Sequence, residues 1–145
     1  MKTIFLAVIV MALMACQVET NIDASNPSLV KINGQWQLSK TTVGFPRPDG
    51  PTEIKALNTD ILSFDANKKT YTRTINGKVT ENSNFDVQTV SYNGSEAREA
   101  IIFEKEQKYA YLTFDDKNSA IILYERTPIG AVLADGNSYH YQKVK

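Results

Sequence analysis

The 145-residue chain has few of the residues that enzymes and metal proteins use for chemistry: one cysteine, one histidine and one tryptophan. The single cysteine excludes an internal disulfide. A zinc site draws several ligands from His, Cys and carboxylates, and one His with one Cys is too few for an ordinary one. No serine has a Gly-x-Ser-x-Gly setting, and His140 is expected to be a solvated strand residue. We therefore expect no catalytic residues, no metal site and no cofactor.

The chain also lacks an excess of charge of either sign, since it has 16 basic and 16 acidic residues. This balance gives neither a basic surface for nucleic acid nor a polybasic patch for anionic lipid. Long hydrophobic runs are missing too. The longest, from Ile4 to Ala15, falls well short of the roughly 20 residues that span a bilayer. A transmembrane helix is therefore not predicted.

The apolar run follows Lys2, and this order of a positive residue and a short apolar segment is typical of a signal peptide, residues 1–15. Leu13-Met14-Ala15-Cys16 ends the run and resembles the lipobox of bacterial lipoproteins. The resemblance implies cleavage between Ala15 and Cys16, and lipidation of Cys16 with acyl chains such as palmitate. Two or three acyl chains hold a protein firmly at a membrane. The residue after the cysteine is Gln17 and not Asp, which is compatible with transport of the lipoprotein to the outer membrane. We therefore expect a cell-envelope protein of the outer rather than the inner membrane.

Two parts are predicted after the signal peptide. Residues 16–31 are polar and aperiodic and are interpreted as a lipidated, flexible tether, and residues 32–145 as one folded domain. Short runs rich in β-branched and aromatic residues alternate there with turn signals, the clearest being Asn76-Gly77. Two segments, 52–58 and 95–100, are short helix candidates. The predicted strands are 34–42, 60–65, 69–76, 78–88, 99–105, 108–114, 119–126 and 138–144.

This pattern predicts an all-β domain, an antiparallel meander of about eight short strands that closes into a barrel or a sandwich. Gly34-x-Trp36 resembles the signature that opens the first strand of lipocalins and small lipocalin-like lipoproteins, and the segment from Phe64 to Thr72 resembles a hairpin of the latter. The resemblance implies a lipocalin-like (calycin) barrel in which Arg126 packs across Trp36. We expect Trp36 to plug one barrel end with its indole N–H near a backbone acceptor, and Gly34 to let another backbone pass close.

The likeness and the lack of catalytic groups favour a binding module that holds a small apolar ligand at its open end. The loop 44–51 would border the mouth, with Phe45 and Arg47 as candidate ligand contacts. Tyr109, Tyr111, Tyr139 and Tyr141 alternate on two predicted strands, and they either pack in the barrel wall or present phenol groups to the ligand. The alternative is a structural, protein-interaction or inhibitor domain of the cell envelope with no small ligand. The expected partners are thus the membrane, through Cys16, and either a small ligand or an envelope protein, but no nucleic acid.

Overall fold

The computed structural model describes residues 25–91, 94 and 96–145. The predicted signal peptide, its cleavage site between Ala15 and Cys16, and the lipidation site Cys16 lie outside the described residues. Within them the chain forms one short helix and ten strands: α1 (Pro27–Ile32), β1 (Gly34–Thr42), β2 (Glu53–Lys55), β3 (Asp60–Asp65), β4 (Thr70–Ile75), β5 (Lys78–Val90), β6 (Arg98–Phe103), β7 (Lys108–Asp115), β8 (Ala120–Tyr124), β9 (Thr127–Pro128) and β10 (Ser138–Lys143).

Eight of the described strands form a closed antiparallel barrel. They pair in the order β1, β3, β4, β5, β6, β7, β8 and β10, and β10 pairs with β1 to close the ring. β2 adds to the end of β1, and β9 pairs with the start of β7. The predicted all-β meander is therefore confirmed, with the closed architecture of a lipocalin-like barrel rather than a sandwich.

Tight turns reverse the direction of the chain between consecutive strands of the meander. Asn76 and Gly77 both have positive φ, 49° and 80°, as the predicted two-residue hairpin turn requires. Lys69, Gln107 and Ser119 also have positive φ although they are not glycines. In two of these turns an aspartate side chain accepts a bond from the backbone three residues later, at Asp65 and Asp115. These local bonds stabilise the turn conformation.

Alternation along the strands separates a buried interior from an outer surface, most clearly in β3, where every second residue from Asp60 is buried. The core extends along the barrel and consists mainly of aliphatic and aromatic side chains. Its largest fully buried members on the inner face are Tyr71, Phe85, Phe103, Leu29, Ile32, Leu62, Ile101 and Ile121.

Helix α1 corrects the expectation that residues up to Lys31 belong to a flexible tether. Asn26 caps the helix with its side chain, Pro27 occupies the first turn, and Leu29 and Ile32 are 1% and 0% exposed. The helix covers the end of the barrel where β1 begins, so the folded domain starts before Ile32. Neither helix candidate is helical: 53–55 is β2 and 98–103 belongs to β6. Pairing with β1 and with β5 and β7, respectively, outweighs their weak local helix preference.

Candidate ligand-binding site

The barrel has one end closed by α1, and Trp36 joins the helix to the barrel there. Its Nε1 donates to the backbone oxygen of Ile32 at 2.6 Å, and the side chain is 3% exposed. Trp36 therefore plugs this barrel end with its indole N–H bonded to a backbone oxygen, as predicted. Gly34 has φ +115°, which favours glycine, but the nearest atom to a side chain at this position is the side-chain Cε of Lys143. The predicted close approach of another backbone is therefore wrong; backbone conformation accounts for the glycine.

Arg126 does not pack across Trp36, so that prediction is also wrong. The cation over the Trp36 ring is Lys143, whose Nζ lies 5.1 Å from the ring centroid. Arg126 follows β8 at the opposite, open end, and its guanidinium carbon lies 3.9 Å from the centroid of the Phe103 ring. The strand register explains why Lys143, and not Arg126, lies over the Trp36 ring, because β10 places Lys143 directly opposite Trp36.

At the open end Arg126 belongs to a network of charges inside the barrel. Its Nη1 donates to Glu81 Oε2 at 2.7 Å and to Glu106 Oε2 at 2.8 Å. Arg73 donates through Nε and Nη2 to the two oxygens of Asp60, at 3.0 and 2.6 Å, and through Nη1 to Glu81 Oε1 at 3.1 Å. We call these five side chains and the hydroxyl of Tyr71, which lies 2.7 Å from Glu106 and 2.8 Å from Glu81, the interior charge network.

The network shifts the pKa of Glu81 and that of Tyr71 in opposite directions. Burial alone would raise the pKa of Glu81, but the hydrogen bond from Tyr71 and the charge of Arg126 lower it below its ordinary value. Burial and the hydrogen bonds to Glu106 and Glu81 raise the pKa of Tyr71, so its hydroxyl keeps its proton and serves as a donor. Glu81 is thus ionised and Tyr71 protonated at neutral pH.

A cavity of about 350 Å³ lies beside this network, a size at the lower end of the range of ligand pockets. Part of its wall is apolar or aromatic, and part is charged. The apolar and aromatic part consists of Leu62, Ala110, Leu123, Tyr124, Tyr139 and Tyr141; the charged part consists of Arg73, Glu81, Glu106, Lys108, Glu125 and Arg126. A wall of this kind fits a ligand with both an apolar and a polar portion.

Four of the residues predicted to contact a ligand, Phe45, Arg47, Tyr109 and Tyr111, do not line this cavity. Phe45 and Arg47 are exposed in the loop between β1 and β2, Phe45 at 82%. Tyr109 and Tyr111 alternate with the inward-facing Ala110, so they lie on the outer side of β7. There the hydroxyl of Tyr109 donates to the backbone oxygen of Ala131 at 2.8 Å, and the rings of Tyr109 and Tyr111 pack edge to face. They belong to the wall, and the structure brings none of the four into the cavity.

Sequence reasoning assigned no site role to Arg73, Glu81 and Glu106, whereas Tyr139 and Tyr141, the other two tyrosines of the predicted face, do line the cavity. A signal was present for some of them: Arg73 has the same strand parity as the buried Tyr71, and Asp60 the same parity as Leu62. A charged residue on the inward face of a barrel strand is unusual and indicates a polar interior. That parity could have located half of the network.

Three other features of the described residues bear on function: possible metal ligands, the histidine and the helices. Within it no group of three or more His, Cys, Asp or Glu side chains is arranged to hold a metal ion. His140 Nε2 lies 2.9 Å from the hydroxyl oxygen of Thr42, and burial together with the charge of Lys40 lowers the pKa of the imidazole. Among the same residues, none of the helices has the length and apolar character needed to cross a membrane.

The fold and the cavity together define a small lipocalin-like barrel with a partly charged interior. Comparisons with protein-family models, with curated proteins and with solved structures found no match.

Proposed function

We propose that this chain is a membrane-anchored bacterial lipoprotein whose barrel binds a small ligand at its open end. The observation that carries the binding function is the cavity of about 350 Å³ beside the interior charge network. Its charged wall changes the expected ligand from a purely apolar molecule to an amphipathic one, because an apolar ligand would take water away from the charged groups of the wall and offer them no polar contact in return.

The anchor and the cavity fit together in one arrangement. The described chain starts at Ser25, and Asn26 is fixed to the barrel through a bond from its Nδ2 to the backbone oxygen of Val87, at the end covered by α1. A tether from a lipidated Cys16 would therefore reach the closed end. The open end, with the cavity, would point away from the membrane and remain accessible to a ligand.

Native mass spectrometry of the protein purified from its host tests the binding function. We expect a co-purifying small molecule with the wild type and its loss in Ala110→Leu, which fills the cavity from an inward-facing position. Ala120→Leu, on the outer face of β8 at the closed end, is the matched control and should retain the ligand. A wild type that carries no molecule and binds none from a host lipid and metabolite extract would contradict the proposal.

Membrane attachment has its own test. In a bacterial host the wild type should fractionate with membranes and incorporate labelled acyl chains, because two or three chains anchor a protein stably. Cys16→Ser should remain unlipidated. Equal membrane association of the two forms would contradict anchoring through Cys16.

A second candidate function, docking to an envelope protein, is favoured by a different observation. Loops at the open end carry exposed apolar side chains, which we call the apolar rim: Phe45, Leu57, Ile129, Val132 and Leu133, with Leu57 at 93%. Exposed apolar clusters often mark interaction sites. Cross-linking in membranes should then yield one defined partner, and Phe45→Ser with Leu57→Ser should abolish it. An unchanged cross-link in this double variant would exclude the rim as the docking site.

A further inference from the structure

The hydrogen bonds around the cavity give every carboxylate oxygen of the interior charge network at least one protein donor. Both oxygens of Asp60 accept from Arg73. The two oxygens of Glu81 accept from Arg73 and from Arg126, and those of Glu106 accept from Tyr71 and from Arg126. Each of these carboxylate oxygens is therefore already satisfied by a protein donor. A ligand that brings only donors, such as an amine, would have to share carboxylate oxygens that already accept from the protein.

Donors, in contrast, remain available in the same wall. Arg126 uses only Nη1, so its Nε and Nη2 groups make no hydrogen bond within the described chain. Lys108 lines the cavity, and its ammonium group has no carboxylate within ion-pair distance among the described residues. A half-buried cation without a counter-ion is costly, and an anion at this place would stabilise it.

Tyr141 supplies a third donor, and it is the most deeply buried of the three. The residue is 4% exposed and lines the cavity, and its hydroxyl makes no hydrogen bond to any described residue. Among these residues, no fully enclosed side-chain oxygen lacks a partner. The Tyr141 hydroxyl must therefore border open space, and the open space beside it is the cavity. A phenol placed in this way is a ready donor for a bound group.

The formal charges around the cavity sum to one net negative charge, so unpaired donors at the wall, rather than the overall charge, would hold an anion. Asp60, Glu81 and Glu106 oppose Arg73 and Arg126, which leaves one net negative charge in the network. Lys108 offsets that charge at the cavity wall. Glu125, the remaining acidic lining residue, restores one net negative charge, and it accepts a bond from the backbone N–H of Asn137 at 2.8 Å.

We propose that the cavity binds the acidic group of a small amphiphile, a carboxylate-type anion. The hydroxyl of Tyr141, the ammonium of Lys108 and the free edge of Arg126 hold the anion. The apolar portion of the ligand lies against Leu62, Ala110 and Leu123. This inference rests on the proposed ligand-binding function, because it names the ligand class for the same cavity.

Calorimetric titration with octanoate, octanol and octylammonium at neutral pH tests the head-group preference, since the three probes share one alkyl chain. Charge-assisted hydrogen bonds are roughly twice as strong as neutral ones, so octanoate should bind about tenfold or more tightly than either other probe. Tyr141→Phe and Lys108→Gln should each weaken octanoate binding about tenfold and change octanol binding by no more than about twofold.

Tyr111→Phe is the matched control, because it removes the same hydroxyl from the outer side of the barrel wall. It should bind octanoate like the wild type. Circular dichroism and thermal unfolding check that each variant is folded. If Tyr141→Phe does not fold, Lys108→Gln carries the test, since the ammonium of Lys108 takes no part in the interior charge network.

The outcomes distinguish the acidic-ligand inference from the proposed small-ligand binding on which it rests. Binding of octanol or octylammonium as tight as that of octanoate, with both variants unaffected, would overturn the acidic-ligand inference and leave small-ligand binding supported. Failure of every probe to bind the folded wild type, together with the absence of a co-purifying molecule, would overturn both.

Discussion

Nη1 of Arg126 lies 2.7 Å from Oε2 of Glu81, a residue 45 positions earlier in the chain. This contact joins the segment after β8 to β5, on the other side of the barrel interior. Glu106, in the turn between β6 and β7, accepts from the same nitrogen at 2.8 Å. One guanidinium therefore connects three parts of the open end. Its charge and its stacking on Phe103 position the segment 125–126, which borders the cavity.

Removal of the Arg126 charge should destabilise the barrel. In Arg126→Gln the carboxylates of Glu81 and Glu106 lose their shared donor while they remain about three-quarters buried. The side chains keep some solvent contact, so we expect a loss of about 1–3 kcal/mol in the free energy of unfolding, measured by urea denaturation. Lys31→Gln breaks an exposed pair with Asp116 and should cost less than about 1 kcal/mol. Equal losses in the two variants would contradict a stabilising role for the network.

Acid should weaken the same network. The pKa of Glu81 is lower in the folded chain, so its contribution to stability is full above its ordinary pKa of 4.5 and is lost as the pH falls through the lowered value. Glu81→Gln should therefore be less stable than the wild type at pH 7, and the difference should shrink progressively below about pH 4.5. Glu104→Gln, at an exposed position in the turn after β6, is the control. A wild-type advantage that stays constant down to pH 3 would contradict this account.

The strands were predictable because local chemistry defines them. Alternation of buried and exposed residues placed β3 at 60–65, and Asn76-Gly77 located the hairpin between β4 and β5. The turns at Lys69, Gln107 and Ser119 adopt positive φ without glycine, so no residue type marked the position of that conformation. Nearby aspartates and asparagines located the turns at Lys69 and Ser119, whereas the turn at Gln107 has no such residue beside it.

The site was mostly hidden from sequence reasoning because it depends on register. Asp60, Arg73, Glu81, Glu106 and Arg126 are distant in sequence, and each one alone resembles a solvated surface charge. Closure of the barrel brings them together. Helix α1 was missed for another reason: its six residues are too few to establish a helical period, although Asn26-Pro27 is a typical start signal. Only the burial of Leu29 and Ile32 reveals its importance.

Helix α1 should behave as part of the folded domain. Leu29 is 1% exposed within the core cluster, so Leu29→Ala should lower the free energy of unfolding by about 2–5 kcal/mol. Val30, its neighbour on the same helix, is 43% exposed, and Val30→Ala should change stability by no more than about 0.5 kcal/mol. Chemical denaturation followed by circular dichroism measures both. A flexible tether in this region would leave the two variants equally stable.

The bond from Trp36 to Ile32 should account for much of the attachment of the helix. Trp36→Phe keeps an aromatic ring but leaves the backbone oxygen of Ile32 without its donor at a buried position. We expect a loss of about 1–3 kcal/mol, with earlier proteolytic cleavage near the N-terminal side of β1 as α1 detaches. Trp36 is the only tryptophan, so unfolding of this variant must be followed by circular dichroism rather than by indole fluorescence. Phe45→Leu, an aromatic change at an 82% exposed position, is the control and should leave stability within about 0.5 kcal/mol of the wild type. If Trp36→Phe is as stable as this control and its proteolysis is unchanged, packing of Leu29 and Ile32 alone holds the helix, and the hydrogen bond contributes nothing measurable.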